Sequence, residues 1–119
     1  MFARLTKYHA DEDTDRLLEG FTATIASLQL VDGFSHGYFM VDPSTSAAMS
    51  MTVWDSEAAM AASAESAEER RTTRVETGAA SVVSVDTYEI GLIAAADDVE
   101  PAHRRGEQLE EHGEESLAA

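Results

Sequence analysis

The chain has no cysteine and no asparagine, a single lysine, a single tryptophan and two prolines. Without cysteine there is no disulfide, no thiolate metal site and no thiol nucleophile. Cations are scarce as well: eight lysines and arginines face 23 aspartates and glutamates, a formal charge of −15. That exceeds the magnitude of about 2 to 8 usual for a small soluble domain. Nucleic acid and anionic membranes are bound through basic neutralisation, so neither is an expected partner. No apolar run reaches the roughly 18 residues that cross a bilayer, and "MFARLTKYHADED" holds no apolar core of signal-peptide length. The expectation is a cytoplasmic protein. Glycine-rich phosphate loops, a nucleophile elbow and paired histidines at HxxxH spacing are missing, and no cofactor or metal is expected.

What the sequence does contain is one domain's worth of alternating patterns. "FARLTKY", residues 2 to 8, interleaves apolar and polar positions as a strand does. "DEDTD" follows, offering Asp13 or Thr14 as an N-cap and negative charge for a helix's first turn. Leu17, Phe21, Ile25 and Leu28, widened by Leu18, then form the apolar stripe of a helix that Gly33 stops. "GFSHGYFMVD" predicts a second strand over residues 34 to 42, and the turn "DPSTS" joins it to a third over 47 to 54. "DSEAAMAASAESAEERRTTRVETG" predicts one long helix over about 56 to 77, capped by Asp55 or Ser56 and closed by Gly78. "ASVVSVDTYEIGLI" predicts the fourth strand.

Strand, helix, strand, strand, helix, strand is the ferredoxin-like βαββαβ pattern, an α+β fold with a four-stranded antiparallel sheet and both helices on one face. The strands carry apolar residues at both parities, as in Phe39, Met40 and Val41, so the second face needs a cover. A second copy is the simplest one, which predicts a homodimer. Residues 1 to 92 form the domain in this reading. Residues 93 to 119 are an acidic tail with few apolar residues to order it, and a short helix from Pro101 to about His112 is predicted within it.

Several stretches together resemble the antibiotic biosynthesis monooxygenase superfamily: "MFAR" on the first strand, "DGFSHGYFMVD" before the hairpin, "MTVWDSEAAMAAS" across the third strand and second helix, and "VVSVDTYEI" at the end. The resemblance spans about residues 1 to 91, and its most specific element is the Trp-Asp-Ser-Glu step of residues 54 to 57. It implies a dimeric α/β barrel and, for some members, cofactor-free oxidation of aromatic or polyketide-like compounds. The haem-degrading branch relies on an asparagine, a second tryptophan and a helix histidine. The chain has no asparagine, Ser63 stands about nine residues past Trp54, and no histidine lies between positions 37 and 102, so haem degradation is not expected. A fold does not transfer a reaction, and a non-catalytic dimeric small-molecule-binding or regulatory module is the competing expectation.

Candidate catalytic residues are His36, Tyr38 and Trp54. His36 and Tyr38 share a parity on the second strand, and a histidine can take a phenolic proton that a tyrosine hydroxyl helps to orient. Trp54 reads first as the anchor of the second helix and second as a wall against a flat ligand. Arg4, Met60 and Arg71 are candidate substrate-binding residues. An arginine inside a half-buried strand must find a partner or line a wet cavity. Arg70, Arg71 and Arg74 cluster within five positions, where they either hold an anion or pair with the abundant acids. The alanines of residues 58 to 67 let the helix approach the sheet closely or leave a cavity beneath it.

Overall fold

The computed structural model describes residues 1 to 11, 13 to 77 and 79 to 101. The elements are β1 Phe2–Ala10, α1 Thr14–Gln29, β2 Phe34–Asp42, β3 Ala47–Trp54, α2 Glu57–Ala62, α3 Ala64–Glu76, β4 Ala80–Glu89, β5 Leu92–Ala95 and β6 Asp98–Pro101. The first four strands form one sheet in the order β2-β3-β1-β4, all pairs antiparallel. This is the ferredoxin-like arrangement. Helix α1 packs on β2, α2 on β1 and β3, and α3 on β4.

Local chemistry explains the helix boundaries. Asp13 caps α1, its carboxylate accepting from the Arg16 N–H at 2.9 Å, and Ser56 caps α2 by accepting from Ala59 N–H at 3.1 Å. These side chains satisfy backbone donors that a first turn leaves orphaned. The apolar stripe of α1 is narrower than its spacing suggests: Leu17, Phe21 and Leu28 are buried, while Ile25 and Leu18 are each 37% exposed. Gly33 turns the chain from α1 into β2 with φ +82°, and a Cβ there would lie 2.4 Å from the Ala59 side chain. Both the left-handed backbone and the contact with α2 therefore require glycine.

Three predicted elements differ. The single long helix is broken at Ser63 into α2 and α3, for a reason that involves Arg4 and is given below. The fourth strand stops at Glu89, and Leu92–Ala95 pairs with Asp98–Pro101 as a separate hairpin. Pro101, predicted to start a helix, instead ends β6, where its missing N–H is tolerated at the end of a two-stranded ribbon. The remainder of that predicted helix, and the Gly78 cap, lie outside the described residues.

Among the described residues nothing covers the face of the sheet away from the helices, which carries several large apolar side chains. Tyr38, Met40, Val83 and Tyr88 are between 45% and 65% exposed, and Met40 and Met49 border a shallow depression with Val83. No helix among the described residues is long and apolar enough to cross a membrane.

Candidate functional site

Register builds the site. On β1 the residues Phe2, Arg4, Thr6 and Tyr8 face the helices, and across β3 they oppose Trp54, Thr52, Ser50 and Ala48 respectively. The apolar ends of these two rows belong to separate clusters. Tyr8 and Ala48 join Leu17 and Phe21; Phe2 and Trp54 join Leu28 and Met60. Between them the pairs Arg4–Thr52 and Thr6–Ser50 form a polar layer through the middle of the core. Thr24 of α1 and Arg70, Arg71 and Arg74 of α3 close over it, leaving a gap of ≈ 30 Å³, room for about one water.

Arg4 is 6% exposed. Its Nη2 donates to the Met60 carbonyl at 2.7 Å and to Ser63 Oγ at 3.1 Å, while Ser63 Oγ itself donates to the same carbonyl at 2.7 Å. Ser63 N–H also closes a tight turn onto Met60 O at 3.2 Å. With its carbonyl engaged by a guanidinium, a hydroxyl and a short-range N–H, Met60 marks the end of α2, and the helix restarts at Ala64. The partner that Arg4 needs is thus a helix C-terminus, where a cation also complements the backbone dipole. The guanidinium lies 5.9 Å from the Trp54 ring centre.

Arg74 spans the other end of the gap. Its guanidinium sits 4.8 Å from the Phe21 ring and 5.7 Å from the Tyr8 ring, and Nη1 donates to the Tyr8 hydroxyl at 3.3 Å. Arg74 Nε is buried without a hydrogen-bond partner. Arg70 Nη1 donates to Ser66 Oγ at 2.7 Å. Burial, followed by the charges of Arg71 and Arg70, holds the Arg4 guanidinium below the usual arginine range. Burial, followed by the charges of Arg74 and Arg71, does the same to Arg70.

The predicted site residues divide between the two faces of the sheet. Arg4, Trp54, Met60 and Arg71 lie on the helix side, where Arg4, Trp54 and Met60 are buried and Arg71 borders the gap. His36 and Tyr38 stack edge-on at 5.3 Å, as their shared parity implies, but they do not enter the space between helices and sheet. The cause is a register shift between Phe34 and His36. Phe34 opposes Trp54 and packs on it at 5.5 Å, whereas one extra residue turns His36 opposite Val53 and Tyr38 opposite Met51. His36 also borders a ≈ 390 Å³ cleft with Ile25 and Gln29 at the β2 edge. The Trp54 N–H, a candidate donor to a ligand, instead donates to Thr52 Oγ1 at 3.1 Å.

Tyr8, Thr6, Ser50 and Thr52 were missed by the sequence reading. The signal was present: the row Phe-Arg-Thr-Tyr along β1 and the row Ala-Ser-Thr-Trp along β3 each place two polar residues between large apolar ones at core parity. Outside the gap, a groove of ≈ 810 Å³ runs between α1 and α3 and shares Thr24, Arg70 and Arg74 with it. Its lining includes Leu17, Gly20 and Ala23 together with the charged side chains Asp13, Asp15, Arg16 and Glu19.

No family model matches the chain, and no curated protein sequence does. Among solved structures, a structural-genomics structure titled protein YJCS is similar, with a TM-score of 0.53 and 15% sequence identity. The match covers 76% of this chain and 99% of that one. The similarity establishes the shared fold.

Proposed function

We propose that the protein is a homodimer of the kind its resemblance implies, binding a small aromatic or polyketide-like compound at the polar gap and the groove that adjoins it. The observation that carries this reading is the polar layer between two hydrophobic clusters. Four guanidiniums and a set of hydroxyls interrupt a core that leucine or valine would fill with greater stability. Ligand sites combine this kind of concavity with a few convergent polar groups. The uncovered apolar face supports the homodimer, because exposed patches of that type are protein contacts more often than solvent surfaces.

Between a binding module and a cofactor-free monooxygenase, the layout favours the binding module. Tyr38 faces away from Arg4, Trp54 and Arg71 across the sheet and His36 borders the cleft at the β2 edge, so the proposed acid–base pair does not line the gap. The oxygenase reading rests on Tyr8, the titratable side chain other than the guanidiniums that borders the gap among the described residues.

Native mass spectrometry of freshly purified protein tests the proposal, followed by oxygen uptake with any retained compound. A dimer retaining an aromatic or polyketide-like mass is expected. Oxygen consumption would move the assignment to the monooxygenase, and a monomer that neither retains nor takes up aromatic compounds would overturn it.

A further inference from the structure

We infer that the gap and the arginines at its mouth form an oxyanion site: they take one or two oxygens of the carboxylate or phosphate head of an acidic ligand, and the ligand's body lies in the groove between α1 and α3. This rests on the small-molecule reading above and specifies the charge and shape of the ligand.

Among the described residues the gap is bordered by four of the chain's eight lysines and arginines and by no aspartate or glutamate, although acids outnumber bases 23 to eight. Surface arginines of so acidic a chain have many carboxylates to pair with, yet these four converge on each other. Bringing guanidiniums together in a partly buried space is unfavourable without a counter-charge. Burial, then the mutual repulsion of the guanidiniums, depresses Arg4 and Arg70, and Tyr8 and Glu69 offset this at Arg70 only in part.

Arg74 Nε–H is buried and has no acceptor among the described residues. Because Arg74 Nη1 donates into the Tyr8 oxygen, the Tyr8 hydroxyl hydrogen is left to be donated elsewhere. Arginine forks and a phenol are suited to the oxygens of a carboxylate or phosphate, which accept several hydrogen bonds at once.

Size then fixes the division of the ligand. A gap of ≈ 30 Å³ accepts an oxygen or two and not a ring. The adjoining ≈ 810 Å³ groove falls within the range of ligand pockets, and Arg70 and Arg74 belong to both. The ligand is therefore an acid whose anionic head meets the gap and whose body lies in the groove.

The test is calorimetric titration of the full chain, in low-salt buffer free of phosphate, with benzoate and phenyl phosphate, and with benzamide as the neutral counterpart. Saturable binding of at least one acid, tighter than benzamide, is expected. Arg71→Gln, which alters a side chain with no hydrogen bond among the described residues, should weaken that acid by roughly tenfold or more, the loss of one charge-assisted contact. Tyr8→Phe should weaken it by less. Equal binding of benzoate and benzamide, or acid binding unchanged in Arg71→Gln, would overturn the oxyanion site while leaving the small-molecule reading intact. If none of the three compounds binds, the oxyanion site is also overturned, and the parent reading is then judged by mass spectrometry of the retained molecule. Inorganic phosphate serves as a control for head-only binding: phosphate binding as tightly as phenyl phosphate would remove the groove from the proposal.

Discussion

Arg4 on β1 and Met60 on α2 are joined by a 2.7 Å hydrogen bond from guanidinium to backbone carbonyl, and that bond links the sheet to the point where the second helix breaks. It serves two purposes at once: it ends α2 and it holds a cation in the polar layer. Hydrogen bonds from charged donors contribute about 1.5–3 kcal/mol, while removing one of four mutually repelling guanidiniums returns part of that. Arg4→Met should therefore lower stability by about 1–2 kcal/mol in urea unfolding. An increase in stability would show that Arg4 is kept at the expense of folding.

Gly33→Ala should destabilise for two separable reasons. The left-handed backbone disfavours a Cβ by about 1–2 kcal/mol, and that Cβ would overlap the Ala59 side chain. Adding Ala59→Gly removes the overlap and leaves the backbone term. The double variant should recover part of the loss relative to Gly33→Ala, after subtracting the effect of Ala59→Gly alone. No coupling between the two changes would place the whole effect in the backbone.

Asp42 stabilises the β2–β3 turn in a pH-dependent manner. Its carboxylate accepts from Ser44 Oγ at 2.7 Å and Ser44 N–H at 3.0 Å. The Ser44 side-chain bond, then its backbone bond, hold the Asp42 pKa below the ordinary value of 3.8. A carboxyl that binds its proton less tightly when folded adds stability at pH values above its unfolded pKa, and that contribution is lost as pH falls through the folded one. The stability difference between wild type and Asp42→Ala should thus be constant at neutral pH and shrink as pH falls below 3.8. A difference that grew on acidification would contradict the assignment.

The sheet and the positions of the helix caps were legible in the sequence because they depend on local spacing: Asp13 or Thr14 and Asp55 or Ser56 announce caps, and Leu17 and Phe21 announce a buried stripe. Two features depend on distant partners and were not. The break at Ser63 is produced by Arg4, 59 positions earlier, and nothing in "AAMAASAESA" signals it. The displacement of His36 from the gap depends on a one-residue register shift near Phe34, and a slip of one residue reverses every side chain beyond it. The arginine cluster was visible as spacing on one helix. That Arg4 completes it follows only from which face of β1 the second helix covers.

Trp54 reports on this region because it is the chain's sole tryptophan and is fully buried. Its emission should be blue-shifted and poorly quenched by acrylamide. Trp54→Ala should lower stability by about 3–5 kcal/mol, as large aromatic truncations do. If Trp54 instead serves as a ligand wall, Trp54→Ala would remain stable and fail to bind, an outcome read from unfolding and titration together.

The proposed dimer can be tested without disturbing the fold. Met40 and Val83 are 45% and 65% exposed in the single chain, so Met40→Asp and Val83→Asp should change its intrinsic stability by no more than about 0.5 kcal/mol. If the uncovered face is where two copies meet, each substitution buries a carboxylate against apolar surface and should shift sedimentation from dimer to monomer. Charge predicts a second signature. Each copy carries −15, so association works against long-range repulsion that salt screens over about 10 Å at 0.1 M. Dimer affinity should rise with ionic strength, the reverse of an interface held by ion pairs. A dimer that survives both substitutions, or one that weakens as salt is added, would place the contact elsewhere and leave the apolar face without its proposed cover.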